Sequence, residues 1–278
     1  MPKKLYFITT EIIPFANVSS LAEFSTKVPL FLQENGHDIR TIIPKYGYVS
    51  ERKYILREVI RLREISFVFK GVDHVTSAKS AFIPKTRVQV YFLEDEFWFK
   101  PLTNLVYKSK NGRILADNNE RYGYYSKAVL STLPHLFWAP DIFICNGWQS
   151  ALVPGLFRKH FDGINQFYKN IKTALIIHEL NDYVNISRKD LNDMEVPIHE
   201  SLKGDSLNVY DVASFSADHI IIVDKKEDEI SEKLLKSSGI SANKEKLSVI
   251  KYKYSDDDIP DFIDVADQLD KIIKIVSS

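Results

Sequence analysis

The chain is poor in cysteine. Cys145 stands alone, which excludes an internal disulfide and a cysteine-based zinc site. Neither charge sign is in excess, since Lys plus Arg and Asp plus Glu number 37 each. No global field therefore draws the protein to nucleic acid or to a membrane surface. No stretch approaches the ~20 apolar residues that span a bilayer. The opening run Leu5-Tyr6-Phe7-Ile8 is broken at once by Thr9, Thr10 and Glu11, too soon for a signal peptide. Glycine is missing between Met1 and Gly36. No nucleophile motif, metal-spaced cluster or phosphate-binding loop occurs along the chain. These absences lead us to expect a cytoplasmic protein with no metal, no cofactor, and no nucleic-acid or membrane partner.

What is present is an ordinary globular balance: 278 residues, 45% hydrophobic and 27% charged, enough for a packed core. Short β-rich runs alternate with longer helical patterns, which predicts repeated βα units around a doubly wound parallel sheet of the Rossmann-like kind. The core strands are expected at Leu5–Thr10, Asp38–Ile43, Val88–Leu93, Asp141–Cys145, Thr173–Ile177 and His219–Val223, the first two as neighbours. Ile65–Lys70 and Val75–Phe82 read as a hairpin-like insertion feeding the third core strand. Ser20-Leu21-Ala22-Glu23 has the form of a capping box, opening a helix that Gly36 stops. Further helices are expected over Asn118–Phe137, Ser150–Phe161, Ser206–Ser216 and Lys225–Lys236. After Gly239 the composition turns polar and acidic. Asp256–Asp258 reads as surface solvation, and Ile263, Leu269, Ile272, Ile273 and Val276 give the terminal helix an apolar stripe that must bury. We read residues 1–238 as one Rossmann-like domain and 239–278 as a C-terminal extension.

In such sheets ligands bind beyond the carboxyl ends of the strands. Three segments fall there. The first, Phe15 to Leu21, contains Asn17, Ser19 and Ser20. Its serines are explained by helix capping alone, although a helix start with two hydroxyls can also bind an anion. The second is Asn146-Gly147-Trp148-Gln149. Its amides can meet sugar hydroxyls and Trp148 can stack on a sugar face, although a buried tryptophan is also ordinary core. The third carries His178, which is either a ligand contact or a satisfied structural histidine. His178 and Glu179 are adjacent, so on an extended strand they face opposite ways and form no dyad. This edge offers neutral hydrogen-bonding groups and one aromatic, with few charges, which suits a sugar better than a diphosphate.

Six segments, agreeing in order over residues 4 to about 235, carry a family likeness. They are Phe7-Ile8-Thr9-Thr10-Glu11-Ile12-Ile13-Pro14-Phe15, Gly36 to Tyr46, Asp117-Asn118-Asn119-Glu120-Arg121-Tyr122, Asp141 to Pro154, Ile176-Ile177-His178 and Ala217-Asp218-His219-Ile220. Together they resemble the N-terminal half of bacterial glycogen synthases and plant starch synthases. The resemblance implies one half of a two-domain GT-B glycosyltransferase. It also implies the family reaction, glucosyl transfer from ADP-glucose to an α-1,4-glucan.

The departures from that family are specific. Its Lys-Thr-Gly-Gly-Leu loop reads Asn17-Val18-Ser19-Ser20-Leu21 here, without the cation and both glycines. A diphosphate would lose a charge-assisted contact worth about 1.5–3 kcal/mol. Its His-Asp-Trp-His reads Asn146-Gly147-Trp148-Gln149, and the donor-binding second half is not in the chain. Only His178 matches a position that the resemblance would make catalytic. Candidate ligand contacts are Glu11, Asn17, Ser19, Ser20, Asn118, Asn146, Trp148 and Gln149. The expected protein is a degenerate, half-length homologue, inactive alone. Alternatives are the acceptor-side half of a split transferase with a separate donor-domain chain, and a non-catalytic module for a saccharide or a partner protein. An α-glucan or another saccharide, or a protein covering the open cleft, are the partners expected.

Overall fold

Leu5, Tyr6, Phe7 and Ile8 are wholly buried, as an apolar run must be when both faces of its strand are covered. That strand, Lys4–Ile8, lies at the centre of a large sheet in a computed structural model that describes residues 2–102, 105–225, 229–255 and 259–277. On one side of it lie Asp38–Pro44 and then Gln89–Glu94; on the other lie Ile142–Asn146, Lys172–Ile177, His219–Asp224 and Leu247–Lys251. All of these run parallel. The fold is thus the expected doubly wound α/β sheet, and the six expected core strands share it. Winding reverses between Lys4–Ile8 and Ile142–Asn146. In sheets of this kind the ligand crevice lies beyond the carboxyl ends at that reversal.

Past Gln89–Glu94 the sheet turns antiparallel. Val72–Phe82 pairs with it and with Ile65–Phe69, the two strands of the insertion being joined at Lys70 and Gly71. Both turn residues have positive φ, 52° and 75°, as a two-residue hairpin turn of that twist needs, and glycine supplies one of them without strain. Arg57–Glu58 adds a two-residue ladder at the outer edge.

Several elements differ from the sequence reading. The helix expected over Ser206–Ser216 begins only at Val209, because Ser206–Asn208 is a short strand paired antiparallel with Asn185–Ser187 and Asn208 caps the helix by accepting from Tyr210 N. The charged helix expected over Lys225–Lys236 spans Ile230–Leu234 among the described residues. The helix expected over Asn118–Phe137 ends at Ser131 and resumes as a short turn, Leu133–Leu136, because Pro134 has no N–H to continue the ladder. The polar stretch after Gly239 contains a further parallel edge strand, Leu247–Lys251. The terminal helix, Phe262–Val276, buries Phe262, Val265, Ala266, Leu269, Ile272 and Ile273, while Ile263 is 57% exposed. Counting by three and four from Phe262 reaches Val265, Ala266 and Leu269, and Ile263 lies one step off that face. The helix packs beside Leu21–Glu34, where Asp270 bonds His37 at 2.8 Å. Asp256–Asp258 and residues 226–228 of the charged helix lie outside the described residues.

Candidate functional site

The crevice is built first by Glu11. Its carboxylate accepts from the backbone N–H of Val18 (2.6 Å) and Ser19 (2.8 Å) and from the Ser19 hydroxyl (2.9 Å). Burial pushes its pKa up, and the N–H donors of Val18 and Ser19 pull against that shift. Glu11 therefore fixes the loop from within.

Ser20 does not cap the helix as expected. Its φ and ψ are already helical, −62° and −14°, and its side chain makes no capping bond. Capping passes to Ser19, whose Oγ accepts from Leu21 N at 3.2 Å. Ser20 Oγ instead accepts from Lys225 Nζ at 2.6 Å, so a cation does stand at this loop, brought from the end of His219–Asp224. Asn17 is exposed.

Behind the loop is a buried polar chain. His178 Nε2 lies 2.7 Å from Asn146 Oδ1. A carbonyl oxygen only accepts, so Nε2 carries the proton and Nδ1 is the acceptor. Asn146 Nδ2 donates to Ser25 Oγ at 3.0 Å, and Ser25 Oγ in turn donates to Leu21 O at 2.7 Å. Thr9 Oγ1 joins at 3.0 Å from Ser25 Oγ. The Phe24 ring meets the imidazole edge-on, centroids 4.5 Å apart. Burial, helped by the Lys225 charge, lowers the His178 pKa to about 3. His178 is neutral.

The next wall is aromatic, and richer than the sequence reading allowed. Trp148 packs against Tyr122 (5.1 Å), Tyr183 (5.6 Å) and Tyr107 (5.8 Å). Gly147 opens this turn at φ +84°, and a Cβ there would come within 3.0 Å of Gln149 Oε1 and 3.2 Å of a Leu21 methyl. Asn118 braces the wall from behind, donating to Tyr107 O at 2.8 Å and accepting from Arg121 at 3.1 Å. Trp148 Nε1, Gln149 Oε1, Thr10 Oγ1 and Tyr48 Oη are buried without a hydrogen-bond partner among the described residues.

Carboxylates and a cation also correct the expectation of few charges. Glu179 accepts from Tyr183 Oη at 2.6 Å and from Asn181 Nδ2 at 3.0 Å, while Glu11 and Lys225 flank the loop. Tyr107, Tyr122, Tyr183 and Lys225 were not among the candidate site residues, and Glu179 was weighed only as a dyad partner for His178. The signal available was the density of tyrosine around the candidate loops, but which tyrosines meet Trp148 depends on strand order.

Residues 4–237 match the family model described as the starch synthase catalytic domain. The chain belongs to that family. It is 34% identical over 177 residues to the glycogen synthase of Chlorobium phaeobacteroides and 33% identical over the same length to that of Chlorobium limicola. Those alignments cover 64% of this chain and 36% of each relative, so the matched part is about a third of their length. The fold is also that of the catalytic domain of starch synthase IV from Arabidopsis thaliana, solved with ADP and acarbose. The TM-score is 0.74 over 90% of this chain and 52% of that one, at 19% identity. Among the described residues no helix is long and apolar enough to cross a membrane, and no cluster of His, Cys, Asp and Glu could hold a metal.

Proposed function

We propose that this starch-synthase-type domain binds a saccharide, an α-glucan first, and does not transfer glucose on its own. The observation that carries the reading is the state of His178: neutral, 6% exposed and tied through Asn146 to Ser25 and Thr9. A base that takes a proton only near pH 3 does not shuttle one at neutral pH. Glu11 is committed to its own loop and Glu179 to Tyr183 and Asn181. Trp148, Tyr122 and Tyr107 are themselves buried. The support for a sugar is the half-buried Tyr183 ring packed on Trp148, with the unpartnered buried polar atoms of Trp148, Gln149, Thr10 and Tyr48, which suit sugar hydroxyls. Acarbose in the starch synthase IV structure supports the same ligand class. Within this proposal the family domain is 1–238, residues 239–278 extend it, and the protein is a cytoplasmic pseudoenzyme.

Lys225 favours a second reading. A cation bonded to Ser20 at the start of a long helix stands at the loop whose own sequence lacks one. The domain would then be the acceptor-side half of a split transferase, completed by a donor-domain chain. Labelled ADP-glucose with glycogen separates the two readings. The purified chain is expected to incorporate no label, while maltooligosaccharides perturb Trp148 fluorescence. Incorporation by the purified chain that disappears in His178→Ala would overturn the first reading; incorporation only when cell extract is added would favour the second.

A further inference from the structure

Away from the crevice, Ile55 and Phe137 are large apolar residues that combine a positive φ with exposure, and Ile55 is the one that lines a groove. Ile55 ends the short helix Glu51–Tyr54 with φ 54° and ψ 51°, the left-handed conformation that glycine adopts freely. A β-branched residue there is strained, and this one is also 67% exposed. Neither the turn nor the core gains from isoleucine. Strain of this kind, held at the surface, motivates a search for what the side chain meets.

Ile55 lines a groove of about 370 Å³ with Tyr54, Phe82 and Pro84. Phe82 is 57% exposed. The Tyr54 wall is rigid: its hydroxyl donates to Pro14 O at 3.1 Å, and its ring stands edge-on to Phe15 at 4.9 Å. The remaining lining includes two cations, Lys53 and Arg57, and no acid. The neighbouring acids are committed elsewhere, Glu51 to Lys45 and Lys79 and Glu58 to Arg63. Lys53 and Arg57 are thus left without an acidic partner among the described residues. An apolar hollow rimmed by two cations that lack an acidic partner, Lys53 lying over the Tyr54 ring at 5.0 Å, fits a bulky apolar side chain flanked by carboxylates.

We propose that this groove docks an acidic segment of a partner protein that inserts one large apolar side chain between Tyr54, Ile55 and Phe82. Concavity favours a peptide over a lipid surface, which would meet convex apolar residues.

The test uses the full chain and fluorescein-labelled Glu-Asp-Phe-Leu-Asp-Glu, read by anisotropy. Its counterpart with lysine in place of each acid, and phosphatidylserine–phosphatidylcholine vesicles, are run beside it. The acidic peptide is expected to bind and the basic one not, with affinity falling as salt rises. Ile55→Gly is expected to weaken binding about tenfold, the loss of one buried aliphatic side chain, while raising Tm by removing strain. Lys53→Glu with Arg57→Glu should abolish binding and leave Tm unchanged. A lower Tm for Ile55→Gly would make Ile55 a structural residue and overturn the proposal. So would equal binding of both peptides, capture by vesicles alone, or no binding of the acidic peptide at about millimolar concentration.

Discussion

The crevice and the Ile55 groove lie on either side of the Pro14–Phe15 loop and spend their side chains in opposite ways. In the crevice, groups able to meet a ligand are turned inward: Glu11 on Val18 and Ser19, Asn146 on His178 and Ser25, Asn118 on Tyr107. In the groove, Ile55 and Phe82 are exposed and Lys53 and Arg57 have no acidic partner among the described residues, while Tyr54 is tied to the fold through Pro14 and Phe15. The contrast shows why residue type alone misleads about function. A polar residue at a strand end can be consumed by the fold, and an isoleucine can be left to spare. On this contrast, substitutions in the buried network of the crevice should cost stability, whereas groove substitutions should cost binding and no stability.

The largest effect at neutral pH should come at Asn146. Replacing it by leucine leaves the buried His178 N–H without its acceptor and removes one donor from the Ser25 hydroxyl, which keeps Leu21 O and Thr9 Oγ1. We expect Asn146→Leu to lose about 2–3 kcal/mol, read by urea unfolding. Replacing His178 by leucine as well removes the orphaned donor, so the double variant should recover part of the loss. A single variant within about 1 kcal/mol of the parent would show that the network contributes little, and the comparison would fail.

The fold was largely legible because hydrophobic runs bounded by turn residues mark strands wherever both faces are buried. Leu247–Lys251 was missed for the opposite reason: as an edge strand it buries only Ile250 fully, so its sequence reads polar. The site was legible in place but not in detail. That Asn146 and His178 lie at strand ends follows from periodicity; that they bond each other follows from Ile142–Asn146 and Lys172–Ile177 being neighbours, which periodicity does not give. Ser20 shows the same limit, since its backbone is already helical and a capping box in sequence cannot reveal that.

An effect of similar size, visible only in acid, should come from His178 itself. The native state keeps its imidazole neutral down to about pH 3, while the unfolded chain binds a proton below about 6.5. As pH falls through that window the unfolded state takes up a proton that the native state refuses, so stability drops. His178→Gln lacks this linkage. Between about pH 7 and about pH 4.5 the parent should lose about 2–3 kcal/mol more than the variant in matched urea titrations. Parallel curves would show that His178 titrates normally, and would reopen proton transfer in the crevice.

The smallest effect on stability, and the sharpest on interpretation, should come from Lys225. Its bond to Ser20 is exposed and joins one flexible ammonium to one hydroxyl. Lys225→Met is expected to change stability by less than about 0.5 kcal/mol. The informative measurement is calorimetric titration with ADP beside maltooligosaccharide. In a saccharide-binding domain the parent binds the oligosaccharide, ADP gives no heat, and the substitution alters neither result. In the acceptor half of a split transferase the parent binds ADP through the helix start and this cation. Lys225→Met should then weaken ADP about tenfold, the scale of one charge-assisted contact to phosphate. Ser20→Ala separates the roles further, because it removes the hydroxyl that holds the ammonium without removing the charge. ADP binding that tolerates Ser20→Ala but falls with Lys225→Met would identify the lysine as a working phosphate contact, and the crevice could no longer be read as wholly turned inward.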